Sequence, residues 1–132
     1  MTAVAHPHEV LLQQVREEFA AIFTQSSQGV YIYLDDSHWI CNDRLATLLG
    51  YTSAEELRKG SSRSSFLEAV IVTDSHQAVV DAYRKVVDAK AASSITVIWK
   101  KKGGGTLKTQ TIFAPLSFRG TVLALHFITP SE

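Results

Sequence analysis

The carboxyl-terminal third of the chain constrains the fold most, because it is built almost entirely of strand-type sequence. In residues 95–100 an apolar set, Ile95, Val97 and Trp99, alternates with Thr96, Ile98 and Lys100. Residues 106–116 form a long strand-type run, and residues 121–129 are nearly all apolar. Glycines between these runs predict turns, and Pro115 predicts an interruption near the end of the second run. A strand that is apolar on both faces needs cover on both faces. The sequence therefore predicts a sheet with other elements packed on each side.

The remaining two thirds of the chain supply a hairpin and a set of helices. Residues 30–34 and 38–41 have strand composition, and Asp35 and Asp36 between them predict a turn. Short helices are predicted after Asn42 and after Ser53, and a longer one from Asp74 to about Ala91. This order predicts an α+β fold in which a five-stranded antiparallel sheet carries the helices on one face.

Residues 7–24 predict one amphipathic helix that flanks this domain. Its apolar residues recur at spacings of three and four and include Leu11, Val15, Phe19 and Ile22. A lone helix gains little stability in water, so this stripe needs a partner. The partner is either the sheet of the same chain or a second chain, and the sequence leaves both open.

Composition excludes several classes of protein. The 132 residues suffice for one domain, and no apolar run approaches the roughly 20 residues of a membrane-spanning helix. The formal net charge is zero, so we expect no general nucleic-acid binding. The single cysteine, Cys41, excludes an internal disulfide and a CxxC metal site. We therefore expect a cytoplasmic domain that contacts neither a membrane nor nucleic acid.

The sequence offers little for catalysis or metal binding. Asp35 and Asp36 fit a turn better than an acid–base pair, and no Ser/His/Asp arrangement has the right context. His6 and His8 lie near the amino terminus, and two histidines alone seldom make a metal site. His126 stands within the apolar last strand, where it is either a satisfied core residue or a ligand contact. We predict no enzyme and no metal site.

Several motifs in the right order resemble those of the PAS domains. Residues 29–35 read GVYIYLD, and residues 48–57 read LLGYTSAEEL after a helix capped by Asn42. Thr73 and Asp74 precede the long helix, and a lysine–glycine turn follows at 102–104. The resemblance covers about residues 24–129. It divides the chain into a flanking helix, 1–23, and a PAS domain, 24–132.

The resemblance implies a sensory or interaction module. PAS domains hold a pocket between a cupped sheet and helices, bind haem, flavin, other small molecules or nothing, and often dimerise. We therefore expect a signal-sensing module that binds a small ligand and acts through a homodimer or a downstream signalling partner. The alternative is a dimerisation module without a ligand. The cofactor, if there is one, stays unknown.

The cofactor subtypes of the family are compared residue by residue. The flavin subtype forms its photoadduct with a cysteine where this chain has Ser64, so that adduct is impossible here. The flavin-facing glutamine of that subtype aligns near His126. The haem-ligating histidine of the oxygen-sensing subtype falls near Val80, whereas His76 lies about one turn earlier.

Two sets of candidate site residues follow. The aromatic candidates fit either a pocket for a planar ligand or simple core packing. The residues predicted to bind a ligand are Trp39, Asn42, Val80, Tyr83, Trp99, Phe113 and His126. If the alternate residues of the first strand face the helices, the two tyrosines face outward and need the amino-terminal helix as cover. The residues predicted to form an interface are Leu11, Val15, Phe19, Ile22, Tyr31 and Tyr33.

Overall fold

The computed structural model describes residues 7–35, 38–60 and 66–131. Six helices and five strands occupy these residues. The helices are α1 (Pro7–Glu18), α2 (Ala20–Gln25), α3 (Asp43–Leu48), α4 (Ala54–Gly60), α5 (Phe66–Val70) and α6 (Thr73–Ala89). The strands are β1 (Gly29–Asp35), β2 (His38–Cys41), β3 (Ser93–Lys100), β4 (Thr106–Phe118) and β5 (Thr121–Pro130). Part of the predicted β1–β2 turn, at 36 and 37, and the predicted polar loop at 61–65 with Ser64 lie outside the described residues.

The five strands form one antiparallel sheet in the order β2-β1-β5-β4-β3. The predicted α+β fold class is therefore confirmed. The helices between β2 and β3 carry the chain to the far edge of the sheet. Strands β3, β4 and β5 then pair in turn back toward the middle, and β5 ends beside β1. The sequence-distant strands β1 and β5 thus pair near the middle of the sheet, and β2 and β3 form its edges.

Helices α3 to α6 pack on the inner face of the sheet. Their buried side chains join inward-facing strand residues in one apolar cluster, in which α6 contributes Val79, Ala82 and Val86. These three recur at spacings of three and four, which places them on one face of the helix. Helix α6 ends where Lys90 adopts a left-handed conformation, with a φ of 52°.

Helix α1 packs on the outer face of the same sheet. Its Leu12 and Val15 are buried against Ile32, Ile40 and Leu123, which point away from the inner helices. Of the two partners that the sequence left open for the amphipathic stripe, α1 therefore takes the sheet of its own chain. Both faces of the sheet are covered in this region, as the apolar last strand required.

The prediction of one helix over residues 7–24 is wrong in one respect. The helix breaks at Phe19, where φ is −109° and ψ is 22°, and resumes as α2. No proline or glycine causes the break. The Phe19 ring instead packs edge-on against Phe118, with 5.8 Å between centroids, and this tertiary contact outweighs helix continuity.

The predicted interruption at Pro115 is also wrong, because β4 continues to Phe118. Pro115 stays paired with Ala124 on β5, whereas β3 ends opposite Phe113. Beyond Phe113, β4 is an edge strand on its β3 side, and an edge strand tolerates a residue without an N–H. No helix in the described part of the chain is long and apolar enough to cross a membrane.

Candidate functional site

A small cavity of about 180 Å³ lies between the inner face of the sheet and helices α5 and α6. Its walls are aromatic and aliphatic, with few polar atoms. The lining residues are Tyr31, Tyr33, Phe66, Leu67, Val79, Val80, Tyr83, Arg84, Phe113 and His126. The cavity is therefore suited to an apolar ligand that offers few polar groups.

The pairing of neighbouring strands builds the floor of the cavity. Tyr31 on β1 pairs directly with His126 on β5, and their rings stack with 3.7 Å between centroids and 6° between planes. Phe113, the next partner across on β4, meets the imidazole edge-on at 4.4 Å. One row of cross-strand partners thus brings three rings together, since side chains opposite one another on a sheet are neighbours.

His126 is a neutral histidine held inside the protein. Its side chain is 1 % exposed, and burial lowers its pKa to about 3, although hydrogen bonds to the backbone carbonyls of Tyr31 and Ala124 oppose this shift. Its Nδ1 lies 3.2 Å from the carbonyl oxygen of Tyr31. A carbonyl oxygen only accepts hydrogen bonds, so Nδ1 carries the hydrogen and Nε2 carries the lone pair.

The Tyr31 hydroxyl is the second polar group of the floor. Burial raises the pKa of this phenol well above its ordinary value, and the neighbouring Tyr33 raises it further, so the hydroxyl stays neutral. No residue within the described ranges forms a hydrogen bond with it. Those ranges also contain no fully enclosed side-chain oxygen or nitrogen that lacks a partner. The hydroxyl is therefore not fully enclosed, and its residue lines the cavity.

The outer wall of the cavity is a cluster of further rings. Tyr33 meets Tyr83 edge-on at 5.4 Å and Phe66 at 5.6 Å. The Tyr83 hydroxyl donates to the carbonyl oxygen of Leu34, 3.3 Å away, which ties α6 to β1 at the mouth. Arg84 is exposed and contributes the single formal charge among the described lining residues.

Four predicted ligand-binding residues line this cavity: Val80, Tyr83, Phe113 and His126. Their role in binding stays a prediction. The other three, Trp39, Asn42 and Trp99, do not line it, because each is engaged elsewhere. Trp39 packs edge-on against Phe66, 4.9 Å away between centroids.

Asn42 has a structural role that uses its whole amide. Its Oδ1 accepts hydrogen bonds from the backbone N–H groups of Val30 and Leu45, and its Nδ2 donates to the carbonyl oxygen of Gln28, all at 3.0 Å. The bond to Leu45 caps α3, as the sequence predicted. An amide with these three partners, in a residue only 3 % exposed, has little left to offer a ligand.

Trp99 is likewise satisfied within the core. Its indole Nε1 donates to the Thr109 hydroxyl at 2.9 Å, and the same hydroxyl lies 2.9 Å from the carbonyl oxygen of Val97. The Trp99 ring meets Tyr31 edge-on at 5.6 Å and so supports the floor from behind. These contacts support the core-packing alternative for Trp99.

The predicted outward orientation of Tyr31 and Tyr33 is wrong. Both tyrosines face the inner helices and line the cavity, whereas the alternate residue Ile32 faces α1. The alternation along β1 was predicted correctly, but both of its faces are apolar enough to be buried. Sequence periodicity gives two faces and does not say which one looks inward.

The residues of the amino-terminal helix that were predicted to form an interface are mostly covered by their own chain. Val15 is fully buried, Leu11 and Phe19 are half-buried, and only Ile22 is exposed, at 37 %. Sequence reasoning also missed Phe66 as a lining residue, which begins α5 next to the polar loop. The sequence feature that could have identified Phe66 is a large aromatic residue directly after a serine-rich segment.

The described residues hold no metal centre. No three His, Cys, Asp or Glu side chains within residues 7–35, 38–60 and 66–131 lie close enough to share an ion. His76 is the helix histidine that was compared with the haem ligand. Its Nε2 is 2.8 Å from the carbonyl oxygen of Ile71 and 3.1 Å from that of Leu67, so this nitrogen is already in contact with the protein backbone. Cys41 is buried, and burial raises its pKa to about 12, so its thiol is unreactive.

Comparison with solved structures gives many matches to one fold. The PAS domain of a LuxR-family transcriptional regulator from Burkholderia thailandensis, solved in complex with ethanol, aligns with a TM-score of 0.61 at 18 % identity, over 85 % of this chain and 96 % of that one. The LOV protein of Rhodobacter sphaeroides aligns with a TM-score of 0.64 at 13 % identity, over 89 % and 67 %. The chain has a PAS fold.

A further structural match covers only part of the other protein, and the sequence comparisons are empty. VqmA of Vibrio cholera, solved in a complex with ligand and DNA, aligns with a TM-score of 0.63 at 14 % identity, and the match covers 86 % of this chain but only 50 % of that one. No family model and no curated protein sequence matches. At these identities the structural matches establish the fold, and the ligand has to be argued from the cavity itself.

Proposed function

We propose that this PAS-fold chain is a sensory module that binds a small molecule in the cavity between Tyr31, His126 and α6. The observation that supports this is an apolar cavity lined by Tyr31, whose hydroxyl is not fully enclosed and has no hydrogen-bond partner among the described residues. An apolar cavity with a few polar groups on its wall is typical of a small-molecule site, because those groups orient the ligand.

Strand β1 provides a route for the signal. Tyr31 and Tyr33 line the cavity, while Ile32 between them packs on the other face against Leu12 and Val15 of α1. A ligand that displaces the tyrosines therefore moves the residue on which α1 rests. We propose that residues 1–23 act as this output element and residues 24–132 as the PAS domain, with a second copy or a downstream signalling protein as the receiver.

The test fills the cavity and measures ligand retention. In Val80→Phe, added atoms occupy the cavity, whereas Val87→Phe adds the same atoms to α6 at a position that does not line it. Native mass spectrometry and thermal shifts across a metabolite library should show a ligand for the wild type and Val87→Phe but not for Val80→Phe. If wild type and both variants give the same empty spectra and no shifts, the sensory proposal is wrong.

A second candidate is an interaction module that needs no ligand, acting as a homodimer through its amino-terminal helices. Helix α2 buries none of its side chains in the chain and leaves Ile22 37 % exposed. Light scattering distinguishes the candidates. Ile22→Asp should convert a dimer to a monomer, whereas Ala21→Asp, on the same helix and also exposed, should leave it intact. A monomeric wild type contradicts this candidate.

A further inference from the structure

The volume of the cavity fits about one ring. Its volume is about 180 Å³. A dry apolar cavity of about 150 Å³ is known to hold one benzene molecule, whereas sites for larger organic ligands occupy roughly 300–1,000 Å³. A flavin or a haem is several times the size of one ring. The geometry therefore favours a single six-membered ring with small substituents.

The walls of the cavity favour an aromatic ring. Phe66, Phe113 and Tyr33 are lining residues from three different elements, and Tyr31 and His126 form the stacked floor. Aromatic rings prefer offset-stacked or edge-on neighbours at centroid distances of about 4.5–7 Å. A planar aromatic ligand can make such contacts with several of these side chains at once.

The charge state of the cavity excludes an ionised group at its floor. Tyr31 and His126 are both neutral at physiological pH, and the one formal charge of the described lining, on Arg84, is exposed at the mouth. An unpaired charge in such a place is strongly disfavoured. The polar groups that the two floor residues carry are a hydroxyl, which can donate or accept, and a neutral imidazole.

We propose that the ligand is a neutral one-ring aromatic compound carrying a hydroxyl or ring N–H, which exchanges hydrogen bonds with the Tyr31 hydroxyl and the His126 imidazole. This assignment rests on the proposed sensory function, because it names the ligand class of the same cavity. It specifies size, charge and one polar group, and each of these is tested separately.

Four probes separate these properties. Phenol has the required ring and hydroxyl, toluene has the same size without the hydroxyl, benzoate carries a charge, and 2-naphthol carries the hydroxyl on two rings. Titration calorimetry or ligand-observed NMR at pH 7 should rank phenol above toluene by roughly threefold to tenfold, the effect of one neutral hydrogen bond. Benzoate and 2-naphthol should bind more than tenfold more weakly than phenol.

Tyr31→Phe tests the polar contact without changing the shape of the cavity. Toluene binding should be retained, and the phenol-to-toluene preference should fall to about one. Tyr51→Phe is the matched control, because Tyr51 is only half-buried and does not line the cavity, so the wild-type preference should persist. A preference that survives Tyr31→Phe contradicts the assigned contact.

The outcomes distinguish this inference from the proposed function. Binding of 2-naphthol, benzoate or flavin mononucleotide in preference to phenol, lost in Val80→Phe, overturns the ligand class and leaves the sensory function standing. Failure of all probes and of the metabolite library to bind overturns both. Phenol binding that is lost in Val80→Phe and depends on Tyr31 supports both.

Discussion

The inner and outer faces of the sheet are packed in opposite ways. The inner face carries buried polar groups, including His126, Thr109 and Thr111, beside a cavity. The outer face beneath α1 buries only apolar side chains, such as Ile32 and Leu123. Each methylene buried in a close-packed apolar layer adds to the free energy of unfolding. A layer that contains a cavity and polar groups has fewer such contacts and contributes less per residue. The comparison shows an outer layer packed with apolar side chains and an inner layer that combines a larger apolar cluster with buried polar groups and a cavity.

The largest loss of stability is expected for a substitution in the outer layer. Leu123 is fully buried under α1, so Leu123→Ala should lower the free energy of unfolding by about 2–5 kcal/mol through lost burial and a new void. Leu125→Ala, at the next outward position of β5, is half-buried and should cost less. Urea denaturation measures both. Equal losses would show that the outer layer is not close-packed around Leu123.

Asn42 tests whether the polar groups of the inner side are structural. Asn42→Ala leaves the Val30 N–H without its partner and removes the cap of α3, so we expect a loss of about 2–3 kcal/mol. Asn42→Ser keeps an accepting oxygen for the cap of α3 and loses the bond to Gln28, so its cost should be smaller. Chemical denaturation at pH 7 gives the two values. Indistinguishable losses would contradict the role assigned to the oxygen.

His126 predicts a pH dependence that the apolar outer layer lacks. Its folded pKa is about 3, below the roughly 6.5 of an unfolded histidine, so the unfolded chain binds the proton more tightly. The stability due to neutral His126 is complete above pH 6.5 and is lost as the pH falls toward 3. Between pH 7 and 5 the loss should be about 2 kcal/mol.

The measurement is denaturation of the wild type and His126→Phe at pH 7, 6 and 5. The variant keeps a buried ring but removes the titrating group, so its stability should change by about 2 kcal/mol less over this interval. If the two proteins show the same pH dependence, His126 is not a buried neutral histidine in solution.

The smallest loss of stability is expected when the ion pair between α1 and the β4–β5 turn is removed. Glu18 and Arg119 are 2.8 Å apart, but each side chain is about half exposed. Solvent screens such pairs, so Glu18→Gln should lower stability by less than about 1 kcal/mol. A thermal melt beside that of Glu17→Gln measures it, because Glu17 is an exposed carboxylate on the same helix and the amide oxygen can still accept the hydrogen bond from Gln13. A loss as large as that of Leu123→Ala would show that charge, and not apolar packing, holds α1.

Much of the fold could be predicted because its signals are local. Residues adjacent in the sequence predict the Asn42 cap, the Gly-containing turns and the alternation of β1. The structure contains each of these features. Part of the cavity lining could be predicted for the same reason, since Val80 and Tyr83 lie on one face of a predicted helix. Trp39 and Trp99 were misplaced because an aromatic residue fits a core and a pocket equally well.

The sequence by itself determined the elements, their order and the need for cover on both faces of the sheet, because periodicity and turn chemistry act over a few residues. Only the tertiary structure decided which face of β1 looks inward, where the amino-terminal helix breaks and which rings meet. Those outcomes depend on contacts between distant residues, such as Tyr31 with His126 and Phe19 with Phe118. Strand pairing and packing set these contacts, and no local pattern encodes them.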